Sequence, residues 1–290
     1  MGPMRVPFLV LAPACVLVGL GTAVWTTGRV SVPQFLLALL GGLTAHVAVN
    51  ALNEYFDYRS GLDARTQRTP FSGGSGTLPA QPELARPALA LALTALAVTG
   101  LIGLYFVAQR GVGLLPLGVL GLVVIVAYTP WFARLPTLSL ISPGLGFGTL
   151  MVMGTDYVLT GAYSWTAFAA SLVPFFLVNN LLLLNQFPDM EADRSVGRHN
   201  YVILLGRPRA SRIYTAFMGL TYLSVIGGVL LRLLPVTALL ALLTVPLAVR
   251  ASRDAQRFAD DPPRLIPAQG QNVMVNLLTP TLLAIGLLIG

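Results

Sequence analysis

Long apolar runs separated by short polar segments dominate the pattern along this chain. The runs are continuous, without the alternation of a half-buried strand, and each can supply the residues that a helix needs to cross a bilayer. They predict about nine spans, at 7–27, 33–56, 87–108, 111–129, 138–160, 165–187, 210–231, 233–250 and 271–289. The pattern therefore predicts an all-α, polytopic membrane bundle, with residues 1–290 forming a single integral-membrane domain.

The composition agrees with a membrane protein. Of the 290 residues, 55% are apolar and only 10% are charged, and the mean hydropathy is +0.76. A soluble protein carries about 25% charged residues. The single cysteine, Cys15, falls inside the first predicted span, which excludes a disulfide framework. The first apolar run has no clear cleavage site, so we expect it to be a membrane helix.

Positive charge is distributed asymmetrically about the predicted spans. The net charge is +7, and all eighteen basic residues are arginines. All but Arg29, Arg110 and Arg232 fall at the N-terminus or after the second, fourth, sixth and eighth spans. This asymmetry predicts an inner-membrane protein whose N-terminus and even-numbered loops are cytoplasmic, with a central cavity open to that side. Because topology explains the charge, we exclude nucleic acid as a partner.

Carboxylates are concentrated at the ends of two predicted spans. Six of the eleven Asp and Glu residues lie at or just after the ends of the second and sixth spans. Acidic residues at membrane depth are costly and indicate function by default. The six are Glu54, Asp57, Asp63, Asp189, Glu191 and Asp193.

The first acidic cluster completes a polar stripe on the second span. His46, Asn50, Asn53 and Asp57 are spaced by four, three and four residues, which places them on one face of a helix. We expect this face to line a cavity rather than lipid. His46 itself is either a satisfied intramembrane histidine or a residue of the site.

The second cluster makes a similar stripe at the end of the sixth span. Asn185, Asp189 and Asp193 are spaced by four and four residues, whereas Glu191 falls off this face and should meet solvent. We expect the two stripes to face each other at the cytoplasmic ends of their helices, where bundles commonly build metal sites.

The residue types in these clusters select magnesium and a phosphate-bearing substrate. Mg²⁺ prefers a few carboxylates together with water and substrate phosphate oxygens. Zinc is excluded because the chain has only two His and one Cys, far apart. Arg65, Arg68 and Arg198 flank the clusters, and we expect them to hold phosphate oxygens.

Both clusters carry motifs that resemble the UbiA-type superfamily of intramembrane prenyltransferases. The first motif of that superfamily is Asn-x-x-x-Asp-x-x-x-x-x-Asp. The second, much later in the chain, is Asp-x-x-x-Asp followed by a glycine. The matching residues here are Asn53, Asp57, Asp63, Asp189, Asp193 and Gly197.

Other segments resemble the menaquinone branch of that superfamily, which prenylates dihydroxynaphthoate. Residues 128–130, Tyr-Thr-Pro, resemble the turn after the fourth span, and 154–161 resemble a signature of this branch. Arg5 stands where the branch has an early arginine. Two departures are Arg198 in place of the usual Lys and Glu54 where many members have Asp.

The resemblance implies an activity and roles for individual residues. The implied reaction transfers a polyprenyl group from polyprenyl diphosphate to an aromatic quinone precursor within the lipid bilayer, with two Mg²⁺ ions. Asn53, Asp57 and Asp63 would hold one ion, and Asp189 and Asp193 the other. Neutral or cationic side chains would bind substrate, and no obligatory protein partner is evident. The substrate-binding set is Arg5, Asn50, Asn53, Arg65, Arg68, Tyr128, Asn185 and Arg198.

Several other functions stay open at this point. Within the superfamily they are chlorophyll or haem prenylation, glycerol-ether lipid synthesis and terpene cyclisation. Outside it, a cation-coupled transporter would use Asp156, a further acid in the fifth span. We expect Asp156 to be water-exposed at the outer boundary of the membrane.

Overall fold

The structure is a computed structural model that describes residues 2–290. Within that range, eight helices are long and apolar enough to cross a membrane, and a ninth apolar helix is shorter. The nine are α1 (Leu11–Thr27), α2 (Val32–Ser60), α3 (Ala85–Arg110), α4 (Leu115–Ala127), α5 (Pro136–Thr160), α6 (Trp165–Ser195), α7 (Arg207–Leu230), α8 (Val236–Arg257) and α9 (Pro262–Ile289). The prediction of an all-α bundle is confirmed.

Helix α6 is the centre of the bundle. Its most apolar window is 72% buried, against 17% for the span that contains α3. It packs against α5, α7 and α9, while α1 packs against α5 and α9, and α2 packs against α3. Most of α6 is therefore enclosed by neighbouring helices, whereas α3 presents much of its surface outwards.

Two glycines let the backbones of α5 and α6 touch. The amide nitrogen of Gly144 donates to Oδ1 of Asn179 at 2.6 Å. A methyl group on Gly148 would lie 2.3 Å from the amide nitrogen of Phe175. Gly148 lies within a π-helical segment of α5, Leu145–Leu150, which begins directly after Gly144. Small residues at such crossings allow close packing without a hydrophobic driving force.

Two helices extend beyond the predicted spans on the side of the site. α2 continues to Ser60 and ends where Gly61 adopts a φ of 74°. α6 continues through Pro188 to Ser195, so Asp189 and Asp193 lie on the helix rather than beyond it. These extra turns carry the acidic motifs.

The expectation for Asp156 is wrong. Its carboxylate is 1% exposed, and it accepts hydrogen bonds from the hydroxyls of Thr22 at 2.7 Å and Ser164 at 3.0 Å. The residue ties α5 to α1 and to the start of α6, and therefore has a structural environment rather than a solvated one.

Candidate active site

The first motif lies on one face at the end of α2, and its side chains are held by neighbouring segments. Asn50 donates through Nδ2 to the carbonyl of Met4 at 3.0 Å. Asn53 donates to the hydroxyl of Thr129 at 3.2 Å, in the turn after α4. Asp57, one turn further, is 5% exposed. The spacing of Asn50, Asn53 and Asp57 in the sequence correctly predicted that they share one face of α2.

Asp63 returns towards the same place after the turn at Gly61. It is 6% exposed, and its Oδ2 has no hydrogen-bond partner among residues 2–290. Burial raises the pKa of the Asp63 carboxyl to about 7, and the negative charges of Asp57 and Glu54 add to the shift. A buried oxygen without a donor, among other carboxylates, is the environment that a cation would stabilise.

The second motif lies at the end of α6. Asn185 accepts a hydrogen bond from Nε2 of Gln269 at 3.3 Å. Asp189 faces Ser72 and Gly73 of a glycine-rich loop, residues 71–76. Its Oδ1 is buried without a partner among residues 2–290. Glu191 is outside this face, as predicted, and its side chain is 67% exposed.

Arg198 brings the two motifs together. Its Nη2 forms an ion pair with Oδ1 of Asp57, and its Nη1 donates to Oδ1 of Asp193 at 3.0 Å. Nδ2 of Asn200 also donates to Oδ2 of Asp193 at 3.2 Å. Burial alone lowers the pKa of Arg198, but Asp57 and Asp193 raise it above its ordinary value. The guanidinium therefore stays charged between two carboxylates from different helices.

Glu54 organises a second layer beside the motifs, which the sequence analysis missed. Its side chain is fully buried; Oε1 accepts from Nε of Arg5 and from the amide of Ser75, both at 2.7 Å. Oε2 accepts from the Ser75 hydroxyl, also at 2.7 Å. Glu54 thus fastens the N-terminal segment and the glycine-rich loop to α2. The signal available in the sequence was an acid directly beside Asn53.

The remaining predicted arginines lie at the edge of this arrangement. Arg65 donates through Nη1 to the carbonyl and hydroxyl oxygens of Ser195 at 3.1 Å, which links the loop to the end of α6. The guanidinium of Arg68 packs against Gly76. Both residues are exposed.

Two cavities adjoin the motifs. The larger, about 530 Å³, has a mainly apolar wall made by α2, α3, α4, α5 and α6. The smaller, about 320 Å³, is lined by Asp57 and Arg198, among others. Neither lining includes Asp63, Asp189 or Asp193. The predicted residues that line the larger cavity are Arg5, Asn50, Asn53, Tyr128 and Asn185.

The residues present fit a divalent cation, although they are not arranged as a finished site. Residues 2–290 contain no group of three or more His, Cys, Asp or Glu side chains gathered for a metal, and Arg198 pairs with both Asp57 and Asp193. The unpartnered oxygens of Asp63 and Asp189 are hard donors of the kind that Mg²⁺ prefers.

Comparison with known proteins decides the family. The family model described as the UbiA prenyltransferase family matches residues 12–266. This chain belongs to the UbiA prenyltransferase family. The resemblance stated from the two motifs is therefore confirmed, and the protein is an enzyme of the prenyltransferase class. Within this UbiA-family protein, Arg198 joins the motifs at the ends of α2 and α6.

One curated relative and two solved structures illustrate the likeness. The 1,4-dihydroxy-2-naphthoate octaprenyltransferase of Bacillus subtilis (strain 168) is 27% identical over 264 residues, covering 90% of this chain and 83% of the relative. The apo structure of a UbiA homolog from Aeropyrum pernix K1 has a TM-score of 0.76 at 19% identity and covers 98% of both chains. A UbiA homolog from Archaeoglobus fulgidus bound to DMAPP and Mg²⁺ has a TM-score of 0.63 at 15% identity, covering 97% of this chain and 96% of that one.

Proposed function

We propose that this UbiA-family protein transfers a polyprenyl group from polyprenyl diphosphate to a dihydroxynaphthoate-type aromatic acceptor, with Mg²⁺, inside the membrane. One observation carries the proposal: Arg198 joins the acidic ends of α2 and α6 beside a large apolar cavity. A diphosphate needs the polar end of such a site, and a prenyl chain and an aromatic ring need the apolar part. The name of the Bacillus subtilis relative supports the choice of acceptor.

Each motif has a distinct role in the proposal. Asn53, Asp57 and Asp63 would hold one Mg²⁺, and Asp189 and Asp193 a second. The ions would neutralise the diphosphate while the allylic C–O bond breaks. The Archaeoglobus fulgidus protein bound to DMAPP and Mg²⁺ supports a divalent ion in a related fold.

The chain's own cations and cavity wall complete the proposed chemistry. On substrate binding Arg198 exchanges a carboxylate oxygen for diphosphate oxygens and stabilises the leaving group electrostatically. The apolar wall excludes water, so that a ring carbon of the acceptor rather than water captures C1 of the prenyl group. That carbon then loses the proton or the carboxyl group it carried, the latter as CO2, and the ring regains its aromaticity. Tyr128 presents its ring to this space and stabilises positive charge at C1.

The arginine distribution supports an orientation for the enzyme. Fifteen of the eighteen arginines, all except Arg29, Arg110 and Arg232, cluster on the side of the acidic motifs. The positive-inside tendency then assigns the N-terminus and the diphosphate site to the cytoplasmic face of the cell membrane. A diphosphate made in the cytoplasm would reach the site without crossing the bilayer.

The test measures transfer in isolated membranes. Labelled geranylgeranyl diphosphate is incubated with 1,4-dihydroxy-2-naphthoate, 4-hydroxybenzoate or homogentisate, with Mg²⁺ or with EDTA. We expect the naphthoate to be prenylated only with Mg²⁺, and Asp57→Asn or Asp189→Asn to lower the rate by about 100-fold or more. Glu191→Gln, an exposed acid on the same helix as Asp189, is the matched control and should keep its activity. Normal activity in both Asp variants would contradict the assignment.

A further inference from the structure

The larger cavity contains polar groups well away from the acidic end. His46 lines it one helical turn deeper than Asn50, and lies eleven residues before Asp57. At 1.5 Å per residue this separation is about 16 Å along the axis of α2. The level of His46 is therefore too far from the metal-binding acids for the diphosphate to reach it.

His46 is buried without a protein partner at that level. Its side chain is 4% exposed, and its Nδ1 has no hydrogen-bond partner among residues 2–290. The ring instead meets the edge of Phe147, with 4.6 Å between centroids. An unsatisfied buried nitrogen costs free energy unless a ligand or water supplies the missing bond. Since no protein group fixes the ring, a ligand can select the orientation that presents a nitrogen to the cavity.

Asn276, on α9, lines the same cavity. Asn276 is 1% exposed, and its Oδ1 has no hydrogen-bond partner among residues 2–290. Its Nδ2 donates to Asn272. Four residues on, Pro280 has no N–H, so the carbonyl of Asn276 lacks its usual helical donor. Asn276 therefore offers two acceptor oxygens.

His46 and Asn276 lie equally far along their helices from ends on the same side of the bundle. His46 is fourteen residues from the end of α2 at Ser60, and Asn276 is fourteen residues from the start of α9 at Pro262. Both helix ends are on the side of the acidic motifs, since Gln269 of α9 donates to Asn185 of α6. Each residue therefore lies about 21 Å along its own helix from that end.

We propose that His46 and Asn276 bind the hydroxyl group of the aromatic acceptor that points away from the diphosphate. The identity of this ligand rests on the proposed function. A prenyl chain has no polar atoms and cannot satisfy an imidazole or an amide oxygen. The aromatic acceptor is the reactant that carries polar atoms on both sides of its reacting ring. Its distal hydroxyl donates to an oxygen of Asn276 and forms a hydrogen bond with the imidazole of His46. These two contacts determine which ring carbon of the acceptor meets C1 of the prenyl group.

The test compares two acceptors that differ by one hydroxyl. Binding of 1,4-dihydroxy-2-naphthoate and 1-hydroxy-2-naphthoate to the full-length protein in detergent is followed through the fluorescence of the naphthoate, without donor. We expect the wild type to prefer the dihydroxy compound by about tenfold, the effect of one good hydrogen bond. His46→Leu should reduce this preference to about twofold, and His46→Gln should retain part of it. The KM for geranylgeranyl diphosphate should stay unchanged in both variants.

A matched control is available on the same cavity wall. Thr99 also lines the cavity, but its hydroxyl already donates to the carbonyl of Ala95 at 2.9 Å. Thr99→Val should therefore keep the wild-type preference. A His46→Leu protein that keeps the full preference, or whose KM for the diphosphate rises as much as that for the acceptor, overturns the inference. A preference that depends on His46 without any prenyl transfer would instead refute the proposed function and leave the binding role intact.

Discussion

Replacing Arg198 by alanine tests the contact that joins the two motifs. The variant leaves Asp57 and Asp193, whose side chains are 8% and 4% exposed, without the guanidinium that neutralises them. Removing one partner of a buried ion pair typically costs about 3–5 kcal/mol. Arg198 is 18% exposed, and Asn200 still donates to Asp193. We therefore expect the lower end of that range, about 3 kcal/mol.

Magnesium should reverse part of this loss. With Arg198 absent, the two carboxylates are free to bind a cation, which neutralises them in its place. Mg²⁺ should therefore raise the unfolding temperature of Arg198→Ala more than that of the wild type. Arg198→Lys keeps the charge but cannot bridge two carboxylates with a planar fork. Its gain in unfolding temperature with Mg²⁺ should therefore lie between those of the wild type and Arg198→Ala. Prenyl transfer by Arg198→Ala should drop by about 100-fold, because a charge that stabilises the leaving group is lost.

The assay is thermal unfolding of purified protein in detergent, with and without Mg²⁺, at one fixed scan rate. The control is Arg194→Ala, which removes an exposed pair with Glu191 whose side chains are 50% and 67% exposed. Such pairs contribute about 0–1 kcal/mol. If Arg198→Ala and Arg194→Ala unfold at the same temperature, and Mg²⁺ raises both unfolding temperatures equally, Arg198 does not hold the motifs together.

Four further variants test other parts of the molecule. Gly74→Ala and Gly61→Ala both force alanine into a φ above 70°, which should lower the free energy of unfolding by about 1–2 kcal/mol in each variant. Only Gly74→Ala should also slow transfer, by about tenfold or more, because its methyl would lie 3.0 Å from Oδ1 of Asp63. Asp156→Asn should lower the unfolding temperature by an amount equivalent to about 1–3 kcal/mol, while prenyl transfer per folded molecule is unchanged. If vesicles with the wild-type protein take up ions and those with Asp156→Asn do not, a transporter is favoured instead. Gly148→Ala, whose methyl would meet the α6 backbone, should destabilise the bundle by about 1–3 kcal/mol in thermal unfolding, and a stable variant would mean that α5 and α6 can separate there.

Hydropathy predicted the number of helices because each crossing needs its own apolar run. It placed the end of the sixth span at residue 187, whereas α6 continues through Pro188 to Ser195. Hydropathy falls where a helix leaves lipid, but the helix itself continues as long as its backbone bonds and its neighbours hold it. Proline at position 188 removes only one such bond. Helix ends on the site side were therefore the least predictable part of the fold.

The spacing of polar residues predicted which side chains share a face, but not which groups they bind. Asn50, Asn53 and Asp57 share a face of α2 because helical geometry is local. The pairing of Glu54 with Arg5, 49 residues away, and of Arg198 with Asp57, 141 residues away, depends on tertiary packing. A single sequence carries no direct signal for such long-range contacts. Asp156 was misjudged for the same reason, since its donors come from other helices.

The distance in sequence between Asp57 and Arg198 has a consequence for how the protein is made. Glu54 can meet Arg5 as soon as α2 has been synthesised, because Arg5 precedes it in the chain. Asp57 must wait for another 141 residues, roughly 7–28 s at ordinary translation rates of about 5–20 residues per second. Until Arg198 has been synthesised, Asp57 lacks the guanidinium that pairs with it in the folded protein. The bridge between the two motifs can therefore form only late in synthesis.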